Sequence, residues 1–235
     1  MGDVAELGTV LGVWAHPDDE AYLMGGVALR CAGAAQRVAC VTATYGEAGE
    51  TADPERWRRD ELADVRRQEM VASLAMLGVT DHEWLGLPDG GLAGVDATHG
   101  ISLIEAAIER VEPDTVLTFG PDGMTGHPDH ETISAWTVAA FASTGASTSR
   151  LLAATKTEQW AQQWREINAL VFPDGPPCAE PADLAFSLRL DDSSLDRKVR
   201  ALEAQASQTT GLITAMGRER YADWIRDENW IQLAP

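Results

Sequence analysis

Two short clusters hold three of the five histidines in this 235-residue chain: His16-Pro17-Asp18-Asp19-Glu20 and Gly126-His127-Pro128-Asp129-His130. Each follows an apolar run, Val10 to Ala15 and Thr115 to Phe119, that reads as a buried strand. A divalent ion of borderline softness such as Zn²⁺ takes imidazole nitrogen and carboxylate oxygen, and a catalytic site keeps one position open for water. His16, Asp19 and His130 supply such a set. Pro17, with fixed φ and no N–H, favours a turn off the strand, which lets His16 and Asp19 converge on one ion. Asp18 then stays free beside the bound water as a general base. Asp129 is placed to accept a hydrogen bond from an imidazole and raise its basicity, and His127 as an imidazolium would stabilise an oxyanion or protonate a leaving amine. The chemistry that follows is hydrolysis at a carbonyl. A lone His-Pro-Asp would be no more than a turn with an Asp capping the helix at Ala21. Two such clusters after two separate strands outweigh that reading. The ion stays open between Zn²⁺ and another divalent metal such as Fe²⁺, because two His and one carboxylate also describe non-haem iron sites.

The elements that must position these residues alternate. Val10 to Ala15, Val38 to Thr44, Glu83 to Leu85 and Thr115 to Phe119 read as strands. Between them, Ala21 to Ala35, Glu55 to Leu77 and Ser102 to Val111 have helical periodicity, and a further helix runs from near His130 to about Phe141. This βαβαβαβ order predicts an α/β fold with a largely parallel sheet flanked by helices, and both clusters then lie at strand carboxyl ends, where such sheets bind ligands. Further on, Leu151 to Thr155 reads as a strand, Glu158 to Asn168 as a helix, and Leu184 to Leu190 as a strand. Asp191-Asp192-Ser193-Ser194 reads as the cap of a helix reaching about Ser207. The Pro-rich stretch Phe172 to Pro181 is a loop rather than a boundary, since the 50 or so residues after it make a small core to fold alone. One domain is expected, with a core over about 9–142 and a smaller C-terminal strand/helix extension over about 150–235.

A formal charge of -19, from 18 Lys and Arg against 37 Asp and Glu, opposes a nucleic acid or acidic membrane partner. No stretch approaches the ~20 apolar residues of a membrane span, and the N-terminus lacks the pattern of a secretory signal. A cytoplasmic location is therefore the expectation. Cys31, Cys40 and Cys178 are odd in number and widely spaced, which fits buried thiols in a reducing compartment. The oligomeric state is open, a homo-oligomer included.

The residues also carry a resemblance. Ala15-His16-Pro17-Asp18-Asp19-Glu20, Thr44-Tyr45-Gly46-Glu47-Ala48-Gly49, Arg66-Arg67-Gln68-Glu69, Leu87-Pro88-Asp89-Gly90 and Gly126-His127-Pro128-Asp129-His130 stand in the order seen in the PIG-L/LmbE-like family of zinc-dependent N-acetylglucosamine deacetylases. The likeness covers roughly residues 9 to 142. It implies a Rossmann-like fold, Zn²⁺ on His16, Asp19 and His130, Asp18 as base and His127 as oxyanion or acid partner. It further implies that Arg66 and Asp89 contact a small amino-sugar substrate and that Glu47 lies at the pocket edge. Without it, Arg66 and Glu69 read as an exposed helix ion pair, Asp89-Gly90 as a turn and Glu47 as a loop charge. Lys198 to Gln208 resembles a later family segment, with Gln205 where a His is common.

The expected activity is removal of an N-acyl group, acetyl foremost, from an amino sugar or its conjugate. Two other classes compete. A non-haem iron oxygenase usually sits on a β-barrel, which the alternating pattern opposes. A non-catalytic nucleotide-binding protein would need a Gly-x-Gly-x-x-Gly turn, and here Asp18, Asp19 and Glu20 would repel a phosphate.

Overall fold

The computed structural model describes residues 2–145 and 149–233. Strands β1 (Val10–Trp14), β2 (Val38–Thr42) and β4 (Thr115–Thr118) are buried along their whole length, the pattern of parallel strands covered on both faces. β1 pairs in parallel with β2 on one side and with β4 on the other. β3 (Asp81–Trp84) continues the sheet beyond β2, and β5 (Arg150–Thr157) beyond β4, again in parallel. Past β5 the sheet turns antiparallel, through β8 (Asp227–Gln232) to β7 (Leu184–Arg189), while the two residues of β6 (Cys178–Ala179) pair with the end of β5. The order β3-β2-β1-β4-β5-β8-β7 reverses direction between β1 and β4. That reversal opens a crevice at the carboxyl ends of the two strands that carry the histidine clusters.

The expected βαβαβαβ core is therefore present, but several helices differ from their expected lengths. α3 begins only at Leu62 (Leu62–Leu77), because residues 55–61 offer mainly charged side chains and one Trp to bury, and Asp53 draws them into turns. α4 (Ala97–Val111) starts earlier than Ser102, capped by Asp96, which accepts the Thr98 N–H. The Ala21 to Ala35 helix is two helices, α1 (Asp19–Leu23) and α2 (Gly25–Gly33), parted at Met24. The cause lies far away in sequence. Glu228 of β8 accepts the Gly26 and Val27 N–H groups at 2.6 and 3.0 Å, giving α2 a buried anion at its N-terminus. A Cβ on Gly26 would stand 2.9 Å from that carboxylate.

α5 (Gly123–Gly126) is a short kinked turn, and α6 (Pro128–Ser143) packs against α4. Beyond β5, the expected single helix is again two, α7 (Glu158–Gln163) and α8 (Arg165–Val171). α9 (Asp192–Ala204) is capped by Asp191 and packs on α3. It stops at Gln205, and α10 (Ala206–Met216), α11 (Arg218–Trp224) and β8 follow without having been anticipated from the sequence. Among the described residues no helix is long and apolar enough to cross a membrane.

A fully buried ion pair within the extension locks it to the core through backbone groups of α1 and α2. Lys198 of α9 donates to Glu228 at 2.6 Å, to the Tyr22 carbonyl at 2.9 Å and to the Ile225 carbonyl at 3.1 Å, so all three of its donors are used. Lys198→Met would strand the Glu228 charge, and a loss of about 3–5 kcal/mol in urea unfolding is expected. The Lys198→Met/Glu228→Gln double variant should recover part of that loss, since a Gln oxygen still accepts from α2. Equal losses in the two variants would show that the pair is not coupled.

Candidate metal centre and cavity

The first cluster leaves β1 through a tight turn closed by its own carboxylates. Asp19 Oδ2 accepts the His16 N–H at 2.8 Å, and Glu20 accepts the Asp18 N–H at 2.9 Å. Asp18 sits at φ 97, a conformation unfavourable for a residue with a Cβ, and although it stands at the N-cap of α1 its side chain caps nothing. The capping alternative for Asp18 is thereby set aside. In the second cluster, Pro128 opens α6 at the position where its missing N–H costs nothing. His127 takes the N-cap, its Nδ1 accepting the Asp129 N–H at 3.2 Å.

Hydrogen bonds fix how each imidazole presents itself. His130 Nδ1 lies 2.9 Å from the Gly123 carbonyl, so it carries a proton and leaves Nε2 as a lone pair. His16 Nε2 faces Asp89 Oδ1 at 3.0 Å and Asp129 Oδ2 at 3.3 Å and so carries a proton, which makes Nδ1 the nitrogen turned toward His130. His16 Nδ1 and His130 Nε2 are 3.0 Å apart, a hydrogen-bond distance, with the His16 proton between them until an ion displaces it. Asp19 completes the triangle, with Oδ1 3.4 Å from His130 Nε2 and Oδ2 3.7 Å from His16 Nδ1. The two ring nitrogens and the Asp19 carboxylate, through one oxygen or the other, lie 3.0–3.7 Å apart, near the spacing of donors around an ion with ligands at about 2.0–2.2 Å. The donor set therefore fits a divalent cation.

Two other groupings bring ligand-type atoms within 4.8 Å, His16/His127/His130 and His16/Asp89/Asp129. In the first, His127 has Nδ1 engaged by the Asp129 amide and offers Nε2 alone, and in the second the His16 N–H satisfies both carboxylates without an ion.

Burial shapes the charges. It opposes a charged His16, but hydrogen bonds to Asp129 and Asp89 outweigh it and raise the imidazole to about 10 in the metal-free protein. Burial, then the charge of His16, holds His130 down to about 3. Burial lifts Asp18 to about 7 against the pull of Arg66, and lifts Glu20 to about 8 with help from Asp18 and Asp19. Asp89 moves the other way, to about 2, because the bond from His16 prevails over burial.

Several expected site residues occupy different places from those foreseen. Asp129 is buried behind His16, accepting the Gly90 and Leu92 N–H groups at 2.7 and 3.0 Å, so the imidazole it orients is that of His16. Asp89 faces the cavity but spends one oxygen on His16 and the other on the Ala48 N–H at 2.7 Å. Glu47 stands one layer further back, accepting the Asp89 N–H at 3.0 Å, and does not line the cavity. Arg66 is 4% exposed, not a surface ion pair; it donates to the Gly46 and Pro17 carbonyls and lies 3.6 Å from Asp18. Glu69 instead receives the N–H and hydroxyl of Ser207. Gln205 is buried, donating to Glu20 at 2.7 Å and Ser73 at 3.1 Å, and lies outside the cavity lining.

A cavity of about 350 Å³ lies over this centre, lined by His16, Asp18, Asp19, Arg66, His127 and His130. Sequence reasoning missed the rest of the wall, including Tyr22, Lys156, Trp160, Phe172 and Trp224. Nothing local marks them: Tyr22 stands on α1 and the others arrive from β5 and the segments that follow it.

Residues 11–141 match the family described as PIG-L, GlcNAc-PI de-N-acetylase. A relative from Actinosynnema mirum, named 1D-myo-inositol 2-acetamido-2-deoxy-alpha-D-glucopyranoside deacetylase, is 33% identical over 240 residues, spanning 91% of this chain and 85% of the relative. The chain belongs to the PIG-L family. The fold of this PIG-L member is shared with solved structures. The N,N'-diacetylchitobiose deacetylase from Pyrococcus horikoshii superposes with a TM-score of 0.64 at 21% identity, covering 98% of this chain and 85% of its own. A 4-carboxy-2-hydroxymuconate hydratase from Pseudomonas putida superposes at 0.62 with 16% identity, covering 97% of each chain. Fold likeness alone thus spans two reactions, and the site must discriminate between them.

Because His16 holds a second proton below about pH 10, a divalent ion must displace it. Titration calorimetry near pH 8 in buffers of different ionisation enthalpy should show at least one proton released per ion, and affinity should rise with pH. Ion binding without proton release would show that His16 Nδ1 is not a ligand. His130→Ala should lose most of its metal by elemental analysis.

Proposed function

We propose that this PIG-L family enzyme removes the N-acetyl group of an amino-sugar conjugate by hydrolysis, with Zn²⁺ held by His16 Nδ1, Asp19 and His130 Nε2. The observation that carries the reading is the approach of His16 Nδ1 to His130 Nε2 at 3.0 Å, with the Asp19 carboxylate within 3.4 and 3.7 Å of the two rings. It is supported by family membership and by relatives named as deacetylases of a 2-acetamido sugar. When bound, the ion supplies Lewis acidity to the amide carbonyl and to the attacking water.

The chain's own groups handle the protons. Asp18 lies in the cavity beside Asp19, its side chain turned inward by the strained turn. Its carboxylate takes the proton of the attacking water as the oxygen bonds to the acetyl carbon. His127, with Nδ1 accepting from the Asp129 amide, carries its proton on Nε2 and directs it to the oxygen of the tetrahedral intermediate. As the C–N bond breaks, the protonated Asp18 returns its proton to the departing amine nitrogen, and acetate and the amino sugar are formed. Arg66, anchored by two backbone carbonyls, presents a fixed cation to Asp18 and to sugar hydroxyls. Asp89 is a positioning residue for His16 whose remaining lone pairs face the sugar.

Asp18→Ala should keep its metal while kcat for acetate release from N-acetylglucosaminides falls by roughly 10²-fold or more. Loss of the metal would move Asp18 into the ligand set. Full turnover would remove it from the mechanism. Arg66→Ala should lower kcat/KM on the sugar by roughly 10- to 100-fold and have little effect on a bare acetamide. Equal losses on both substrates would show that Arg66 acts through Asp18 or the fold and not on the sugar.

A further inference from the structure

The cavity has two walls of opposite character. Arg66 and Asp89, from the segments after β2 and β3, make one side polar, with Gln208 beside Gly49. The other side comes from β5 and the segments after it, joined by Tyr22 of α1, and is a continuous aromatic surface. Trp160 lies 5.9 Å from Trp224 and 6.2 Å from Phe172 between ring centroids, and Trp224 lies 6.1 Å from Tyr22.

One cation is set into this second wall. Lys156 is 8% exposed, lies 4.7 Å over the Trp160 ring, and makes one long hydrogen bond, 3.4 Å to the Asp227 carbonyl. An ammonium has three donors, and burying them unmet is costly. Among the described residues no carboxylate pairs with it: that of Asp227 bonds Arg189, and that of Glu228 bonds Lys198. Burial, with Lys198 nearby, pushes the amine down to about 8. An oxygen acceptor in the cavity would relieve this.

Resting on the deacetylase reading above, we infer that the aromatic wall receives the aglycone of the amino sugar, an apolar group bearing a carboxylate that Lys156 binds. With the amide at the centre and the sugar hydroxyls on the Arg66 side, the aglycone is the part that reaches the β5 side. A polyol there would lose its water and find a single donor. A hydrocarbon N-acyl chain would leave Lys156 without an acceptor.

The test compares methyl, phenyl and 4-carboxyphenyl 2-acetamido-2-deoxyglucopyranosides, in both anomers, with the metal-loaded enzyme. From methyl to phenyl, kcat/KM should rise by roughly 10- to 100-fold. The carboxylate should add about another 10-fold, mainly through KM. In Lys156→Met the carboxylate gain should vanish and the phenyl gain persist, with metal content and Tm as checks of the fold. Binding of the matching free-amine glycosides, followed by calorimetry, should give the same ranking without turnover. No gain from methyl to phenyl in either measurement overturns the aglycone assignment, as does a gain seen only when N-hexanoyl replaces N-acetyl. A carboxylate gain that survives in Lys156→Met overturns the role of Lys156. The binding order with no hydrolysis of any glycoside would support the aglycone wall and sink the hydrolase reading alone.

Discussion

Asp89 and Asp129 share the Nε2–H of His16, and the chemistry of the centre depends on that contact. With that nitrogen held there, Nδ1 is turned into the crevice opposite His130 Nε2. Both carboxylates are themselves held by backbone. Asp129 takes the N–H groups of Gly90 and Leu92, Asp89 takes that of Ala48, and Glu47 takes that of Asp89. The loops after β2 and β3 are thus tied to the start of α6, and the orientation of the His16 ring is set by the protein alone. Such outer partners fix the tautomer and raise the basicity of a ligating imidazole.

The same region concentrates acids in a dry place. Burial raises Asp18, Asp19 and Glu20 together, so the turn after β1 favours a neighbouring cation. Backbone strain at Asp18, and at Met124 with φ 65, lies on the two turns that face each other across the crevice. These turns persist because packing around them is over-determined. Gln205 holds Glu20, Ser207 holds Glu69, and Glu228 holds the first turn of α2. The C-terminal extension therefore braces the back of the first cluster and also forms the aromatic side of the cavity.

Gln205 illustrates how one substitution is absorbed. A His is common at this place in the family it resembles, yet here the amide bridges Glu20 and Ser73 without reaching the cavity. In this chain it acts on the centre only through the turn that Glu20 closes.

The amino-acid sequence by itself determined the parallel core, the strand ends that carry the clusters, and the residue types that converge there. Those features follow from local signals: short apolar runs, helical spacing, and Pro at each turn. Only the tertiary structure decided that Asp89 and Asp129 serve His16, that Glu47 serves Asp89, and that Arg66 is buried. It also decided the break at Met24, which is made by Glu228 some two hundred residues away, and the aromatic wall around Lys156. The reason is common to all of these. Each depends on which carboxylate or ring reaches a given amide, imidazole or ammonium once the sheet is assembled, and periodicity along the chain carries no record of such long-range pairings.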